Sequence, residues 1–542
     1  MKTYEVLAHI FHRLGVTDCF ALMGDANMHW AGAMSELGTN MIYTRHEHAA
    51  VAAAASYTRS SGKLSCATVT CGPGLTQVMT ILPIAVRAKL PMIIFAGEAP
   101  LSKPWYNQAI DQAPFVEACG ARYISLHTQA DMAQQIGQAF QDAITNQCPV
   151  VLGVPFDLQK EDWQAGEVSL PKLNSYREPI VPEMKTLFTA AGWIDQAERP
   201  IILAGLGAVA AGAKDACIEL AKKSGALLAT TLPAKGLFAG EDYVLGLSGG
   251  FAPEKAREVF AQVDLVIAVG SSLASHAFDG GKLMPDATTI HIDLEPRETV
   301  QGRKAADMLI KADARLGIEA LVKFVSDTPG WRTEEMKQTV AAALDIPDES
   351  ETPDALLHPM GVVRTLDEFM PKDWHVINTS GHCSYFYAQM QNHPQDRFTV
   401  IREFGAIGNG TSYALGIATA FPDRKIALLD GDGSALMHIQ ELETMRRHGL
   451  DILTVVMNDG AYGSEVHKLR ADGVTEDGSV FGRPDFAAIA QGFGIKARRV
   501  ETLNELPAAL AAFENQSGPM VIDLWVSDQI MSPQILRAHK AV

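Results

Sequence analysis

Asp432 stands between two glycines in Gly431-Asp432-Gly433-Ser434, and Asn458 opens a second triplet, Asn458-Asp459-Gly460, after a spacer of 24 residues (434–457). Magnesium takes about six oxygens and commonly combines one carboxylate with neutral oxygens and ligand phosphates. Asp432 offers the carboxylate, Asn458 a side-chain carbonyl and Gly460 a backbone carbonyl, so these three are the candidate metal ligands. Gly431 and Gly433 let the backbone approach a ligand, and Ser434 falls at an expected helix start, where unpaired N–H groups favour a diphosphate. A lone GDG is more often a surface turn. Here the apolar run KIALLD (425–430) leads into the first triplet and ILTVVM (452–457) into the second. One helix is expected between them, with Ile439, Leu442, Met445 and Leu450 on one side. Such a β-α-β unit puts both triplets at the carboxyl ends of parallel strands, where open α/β sheets bind ligands.

A second group lies near the N-terminus. Arg45-His46-Glu47-His48 precedes an alanine-rich helix ending in Tyr57-x-Arg59, then the run LSCATVT (64–70) and the turn Cys71-Gly72-Pro73-Gly74. Alone, Glu47 reads as a first-turn carboxylate favoured by the helix dipole. Taken with GDGS and Asn458, these motifs resemble the thiamine-diphosphate-dependent superfamily of acetolactate synthase, pyruvate oxidase, benzaldehyde lyase and the 2-oxo acid decarboxylases. The resemblance implies thiamine diphosphate and Mg2+ as cofactors. It implies that Glu47 hydrogen-bonds the aminopyrimidine ring, a task suited to a buried carboxyl of raised pKa. It further implies cofactor contacts from Pro73, from Gly381 and His382 in Thr379-Ser380-Gly381-His382, and from Gly431, Gly433, Ser434, Asn458, Gly460, Ala461 and Tyr462. Ile407, in Phe404-Gly405-Ala406-Ile407-Gly408, would be the apolar prop beneath the cofactor. In such enzymes the glutamate domain of one subunit meets the GDG domain of another, which implies a homodimer at minimum and, more fully, a homotetramer.

Three loops carry the candidates for substrate choice. Asp25, in Met23-Gly24-Asp25-Ala26-Asn27, resembles the proton-relay position of pyruvate and phenylpyruvate decarboxylases, though it reads equally as a turn or cap residue. His29 falls where benzaldehyde lyase has a histidine, and otherwise packs on a helix. Asp111 and Gln112, with Asn107 nearby, sit in a stretch similar to the IDQ loop of benzaldehyde lyase and the FQE loop of acetolactate synthase. Glu465 or Ser464, after Ala461-Tyr462-Gly463, would face the substrate as in the synthase and carboligase branch. The implied function is cleavage or formation of a carbon–carbon bond next to a carbonyl, by 2-oxo acid decarboxylation or acyloin-type carboligation. The substrate would be a small 2-oxo acid, aldehyde or ketone. A 2-hydroxyacyl-CoA or oxalyl-CoA lyase is the rival within enzymes, with Arg537, His539 and Lys540 as the basic residues of the tail. A non-catalytic thiamine-diphosphate-binding regulator is the rival of another class; the joint presence of Glu47, Asp432 and Asn458 speaks against it.

The elements that must position these residues follow from apolar patterning. Short unbroken apolar runs recur between helical patterns: MIIFAG (92–97), PVVLGVP (149–155), IILAG (201–205), LVIAVG (265–270), TIHIDL (289–294) and the three already named. Such runs predict parallel strands covered on both faces, hence an α/β chain of doubly wound parallel-sheet domains. Pro-, Ser- and charge-rich stretches at 159–183 and 328–359 read as linkers. They divide 542 residues into a pyrimidine-binding domain (1–165), a central Rossmann-like domain (185–330) and a diphosphate-binding domain (355–542). The outer two open alike, with MKTYEVLAHIFHRLG and HPMGVVRTLDEFMP, a hint of duplicated architecture. In the central domain Gly205-x-Gly207-x-x-Ala210 invites a dinucleotide reading, and a nicotinamide dehydrogenase is a third rival. The resemblance allows FAD or ADP there, but Gly270-Ser271-Ser272-Leu273 lacks the arginine-bearing stretch of acetolactate synthases, so a structural domain is favoured. A net charge of -18 disfavours nucleic acid and anionic membranes as partners. Seven scattered cysteines without a CxxC pair suit a reducing compartment, and with no apolar leader or span a cytoplasmic location is expected.

Overall fold

The computed structural model describes residues 1–174 and 178–540, including all their side chains except those of 538–540. The first sheet comprises β1 (Asp18–Ala21), β2 (Asn40–Tyr43), β3 (Ser65–Val69), β4 (Met92–Glu98), β5 (Arg122–Ser125) and β6 (Pro149–Pro155), in the order β2-β1-β3-β4-β6-β5. The second comprises β7 (Pro200–Ala204), β8 (Leu227–Thr230), β9 (Val244–Leu247), β10 (Leu265–Val269), β11 (Thr288–Asp293) and, after a small β12–β13 hairpin (Thr299–Val300, Arg303–Lys304), β14 (Met308–Lys311). Its order is β14-β11-β10-β7-β8-β9, the arrangement of a Rossmann sheet. The third comprises β15 (His375–Asn378), β16 (Phe398–Val400), β17 (Ile426–Gly431), β18 (Ile452–Asn458), β19 (Lys496–Val500) and β20 (Met520–Trp525), in the order β16-β15-β17-β18-β20-β19. This repeats the first sheet strand for strand. All three six-stranded sheets are parallel throughout.

All eight apolar runs form strands, and most are buried along their whole length, as layers of helix on both faces require. The strands without such a run are short or lie toward the sheet edges, where β19 (KARRV) alternates exposed and buried positions. The stretch 328–359 is not simply a linker. Helix Glu334–Leu344 lies within it, and Trp331, Val340 and Ala343 enter the core of the central sheet, with Trp331 Nε1 donating to Pro200 O at 2.9 Å. Its apolar spacing was masked by flanking charge and proline. The first linker packs Trp163, Val168, Leu170 and Leu173 along the first domain; its residues 175–177 lie outside the described residues. No helix among the described residues is long and apolar enough to cross a membrane.

The two outer domains share one core. Helix Glu47–Ser61 is buried from His48 to Thr58 and packs along helix Gly410–Ala420. A Cβ on Gly416 would stand 1.9 Å from Ala53 O, so the backbones meet where side chains are smallest, and Ser56 Oγ donates to Tyr413 O at 2.9 Å.

At the start of β15, His375 is buried, with Nε2 2.8 Å from Thr399 Oγ1. Burial, then the nearby Arg424 and Arg397, push its pKa down from 6.5 to about 3. As pH falls through the ordinary imidazole range, the unfolded chain takes up a proton that the folded chain refuses. Stability at this site is therefore complete above about 6.5 and is lost on acidification, by about 2 kcal/mol at about pH 5. His375→Gln removes this linkage. The drop in thermal unfolding midpoint between about pH 7.5 and about pH 5 is expected to be smaller in the variant than in the wild type.

Candidate active site

In the third sheet the order reverses between β15 and β17, so the loops after these two strands flank the topological switch point, where such sheets bind ligands. The loop after β15 is Thr379–His382, while β17 passes at Gly431 directly into the next helix; Asn458 ends the next strand over. Asp432 begins a helix of only six residues, Asp432–Met437, and the single expected helix breaks at His438 before a second, Glu441–Arg447. The break leaves His438 Nδ1 2.6 Å from Gly408 O.

Asp432 is buried, and its two oxygens accept the N–H groups of Gly433 (2.7 Å) and Gly460 (2.6 Å). Burial pushes its pKa up to about 7, and burial followed by the charge of Asp432 holds Asp459 well above the usual carboxylate range. Asn458 is fully buried. Its Nδ2 donates to Pro484 O (2.8 Å) and Asp523 Oδ1 (2.9 Å), both acceptors, which sets the amide's orientation. Its Oδ1 is thereby left buried without a partner, a costly state unless something binds it. Fully buried Asp430, at the end of β17, accepts from Thr379 Oγ1 (2.7 Å) and Gly431 N (3.0 Å), has its other oxygen unpartnered, and is pushed up to about 6 by burial.

The remaining loops close on these residues. Gly408 N donates to Ser434 Oγ at 2.9 Å, joining the Ile407 loop to the GDGS loop. Gly381 has φ +101°, and a Cβ there would sit 3.7 Å from Ile407 Cγ2. A Cβ on Gly433 would meet the Tyr462 ring at 2.7 Å, and Tyr462 packs on Phe481 at 5.2 Å between centroids. Ala461 bridges Val480, so the segment around 480 folds over the first triplet.

In the first sheet the equivalent switch point lies between β1 and β3. Glu47 is the first residue of its helix, half-buried and raised in pKa by that burial, and a Cβ on Gly74 would lie 3.5 Å from its Oε1. Burial raises the pKa of both Cys71 and Tyr106, and exposed Asp25 lies close enough that its charge adds to each. Glu47, Pro73 and Asp25 thus share one end of the sheet.

Three family models cover most of the chain: the thiamine pyrophosphate enzyme N-terminal TPP binding domain over residues 1–115, the central domain over 187–321 and the C-terminal TPP binding domain over 379–524. The chain belongs to the thiamine pyrophosphate enzyme family. Among its relatives, the acetolactate synthase large subunit of Parasynechococcus marenigrum (strain WH8102) is 27% identical, covering 96% of this chain and 86% of the relative. The acetolactate synthase isozyme 2 large subunit of Escherichia coli (strain K12) is 26% identical, covering 97% and 96%. A solved Mycobacterium smegmatis protein, assigned provisionally as thiamin diphosphate-dependent, shares the fold with a TM-score of 0.80 at 22% identity, over 97% of this chain and 99% of that one.

The residues present fit the family's cofactor. The unpartnered Asn458 Oδ1 and the Asp432 carboxylate are oxygen donors at the carboxyl end of the sheet, the donor chemistry that a magnesium diphosphate takes. Among the described residues no group of three or more His, Cys, Asp or Glu is placed to hold a metal ion.

Several expected site residues have other work. The Gly460 carbonyl, expected as a metal ligand, accepts N–H groups from Phe481 and Gly482, both at 3.0 Å, so both lone pairs are used. Gln112, a candidate for substrate choice, has both of its side-chain polar atoms engaged within the protein. It is buried, its Oε1 accepts from Gly72 N (2.8 Å), and its Nε2 donates to Gly97 O (3.0 Å) and Tyr123 OH (2.8 Å), so it holds the Gly72-Pro73 turn in place. His29 lies 5.5 Å from the Tyr4 ring, packed on the N-terminal helix. His382 is buried and its Nε2 accepts from Ser532 N at 3.0 Å, so it fastens the C-terminal segment. Asp111 and Glu465 are exposed, the latter 3.9 Å from Lys468 Nζ. Arg537 pairs with Glu254 and Gly250 O, while the side chains of His539 and Lys540 lie outside the described residues. In the central sheet the Gly205 motif serves packing: Gly207 N donates to Gly270 O at 2.8 Å, and a Cβ on Gly205 would lie 2.3 Å from that oxygen.

Sequence reasoning missed Asp430, Asp459, Asp523 and the segment around Val480. Asp430 adjoins the first triplet and Asp459 is the middle of the second, and both were open to detection as acids in apolar surroundings. Asp523 lies 65 positions from Asn458, and nothing local marks it. Gln112→Ala would remove hydrogen bonds from Gly72 N, Gly97 O and Tyr123 OH, the last of which keeps Glu98, and is expected to lower stability by about 1–3 kcal/mol, read as a lower unfolding midpoint. An unchanged midpoint with an altered KM would return Gln112 to the substrate.

Proposed function

We propose that this chain binds thiamine diphosphate through Mg2+ held by Asp432 and Asn458, and catalyses carbon–carbon bond chemistry next to a carbonyl on a small 2-oxo acid, of the acetolactate synthase type. The observation that carries the reading is the buried, unpartnered Asn458 Oδ1 beside a buried carboxylate at the switch point of the third sheet. The names of the relatives, matched over nearly the whole chain, support synthase-type carboligation over simple decarboxylation.

When bound, the cofactor supplies a nucleophilic carbon and an electron sink for the cleaved bond. The protein's part is to place and protonate. Gly431, Gly433 and Ser434 would hold the diphosphate, and Ile407, which faces the Gly381 loop, would lie beneath the cofactor. Glu47, its pKa raised by burial, shares a proton with the aminopyrimidine ring, which requires a carboxyl neither fully ionised nor locked in an ion pair. Asp25, exposed near Cys71 and Tyr106, would be the group that exchanges protons with substrate. Glu47 belongs to a site completed by a second copy of this chain. In support, large apolar side chains stand exposed around both sets of loops: Met23, Trp105 and Ile110 in the first domain, Phe404, Tyr462 and Phe481 in the third. The minimum unit is then a homodimer.

Two variants test this reading. Glu47→Gln is expected to bind magnesium and thiamine diphosphate within about threefold of wild type and to lose at least about 100-fold in kcat on pyruvate. Asp432→Ala is expected to lose magnesium-dependent cofactor binding by calorimetry. Wild-type protein that shows no affinity for the cofactor with magnesium would overturn the proposal.

A further inference from the structure

The loop Glu403–Asn409 carries Ile407 and contains two glycines at positive φ, Gly405 (+78°) and Gly408 (+89°), so its own backbone does little to hold it. It is gripped from outside, at both ends, by one helix of its own chain. At the first turn of helix Glu47–Ser61, His48 Nε2 lies 2.5 Å from Asn409 Oδ1. The His48 ring stacks on His438 with centroids 4.9 Å apart and planes 14° apart, and His438 Nδ1 in turn meets Gly408 O at 2.6 Å. His46 closes edge-on against the same His438 ring at 5.1 Å. At the last turn, Arg59 pairs with Glu403. That arginine side chain is only 8% exposed, and its Nε and one terminal nitrogen have no other partner, so Glu403 is the acid that neutralises a buried cation. Near this end Arg87 lies over the Phe404 ring, 4.5 Å from its centroid.

We propose that His48 and Arg59 are positioning residues that clamp the Ile407 loop at its two ends. Because the clamping helix begins with Glu47, one rigid rod ties the acid that serves one cofactor to the prop that supports another. The inference rests on the function proposed above and adds a coupling between paired sites. The geometry favours this arrangement over simple domain packing because both grips fall on the loop termini. The intervening helix face makes mainly small-residue contacts with helix Gly410–Ala420.

The test uses the full chain carrying His48→Ala or Arg59→Ala, with His48→Gln and Arg59→Lys as conservative partners. Arg59→Met/Glu403→Leu removes both charges in case Arg59→Ala fails to fold. Without cofactor, amide hydrogen exchange of peptides spanning 403–409 is expected to quicken by at least about tenfold in the alanine variants and the double variant, and to recover partly in the conservative ones. With magnesium and thiamine diphosphate, the dissociation constant is expected to stay within about threefold, because Asp432 and Asn458 are untouched. Exchange of the bound cofactor's C2 proton, followed by NMR, is expected to slow by at least about tenfold, as in Ile407→Ala. Unchanged loop exchange overturns the clamp. A loosened loop with undiminished C2 exchange overturns its role in positioning. A wild-type protein that binds no cofactor refutes the underlying function instead, and loop exchange then still decides the clamp.

Discussion

The contact between helices Glu47–Ser61 and Gly410–Ala420 is the constraint on which the rest of the structure depends. Two sheets that end in reactive loops are held by one shared core, and that core exists because small residues let the backbones approach. Ala53 faces Gly416 with no room for a side chain between them, and the run of alanines from 49 to 55 is wholly buried. Dispersion and water exclusion act over the full length of the pair, while hydrogen bonds such as Ser56 to Tyr413 fix its register. Shifting this pair would move Glu47, Asn409 and Ile407 together.

A second theme is the set of acids that the third domain keeps out of water. Asp430, Asp432, Asp459 and Glu441 are all raised in pKa, first of all by burial, which means the apo protein holds them at a cost. Glu441 receives the Arg45 N–H just ahead of Glu47 and the Thr444 hydroxyl, so its burial serves the interface between the outer domains. The others lie at the carboxyl ends of β17 and β18, where Asn458 Oδ1 is unpartnered. A cluster of desolvated carboxylates of raised pKa is uncommon in a domain selected for stability alone and characteristic of one selected to bind.

The three sheets show how one architecture serves different ends. The outer two repeat the same strand order and leave their switch-point loops available to ligands. The central sheet has the Rossmann order and a glycine motif at its switch point, yet there the glycines let Gly205, Gly207 and Gly270 pack backbone against backbone. In the third domain Gly433, at the corresponding place, abuts the Tyr462 ring instead. What distinguishes them is which groups lie opposite, a property of the fold rather than of the motif.

By itself the sequence determined the α/β class, the eight long strands, and the pairing of the Asp432 triplet with Asn458 at neighbouring strand ends. These depend on local apolar runs and on short spacings that survive without knowledge of distant partners. The tertiary structure alone decided that Gln112 braces a turn, that the Gly460 carbonyl is occupied by the segment around Val480, that His382 fastens Ser532, and that the helix after Asp432 breaks at His438. Each of these turns on a hydrogen bond to a group that no local pattern could nominate. Helix Glu334–Leu344 escaped notice for a related reason, since its buried face is defined by Trp331 and the central sheet rather than by its charged surroundings. Local patterning fixes what an element is; the assignment of a polar side chain to ligand or to scaffold waits on what the fold sets against it.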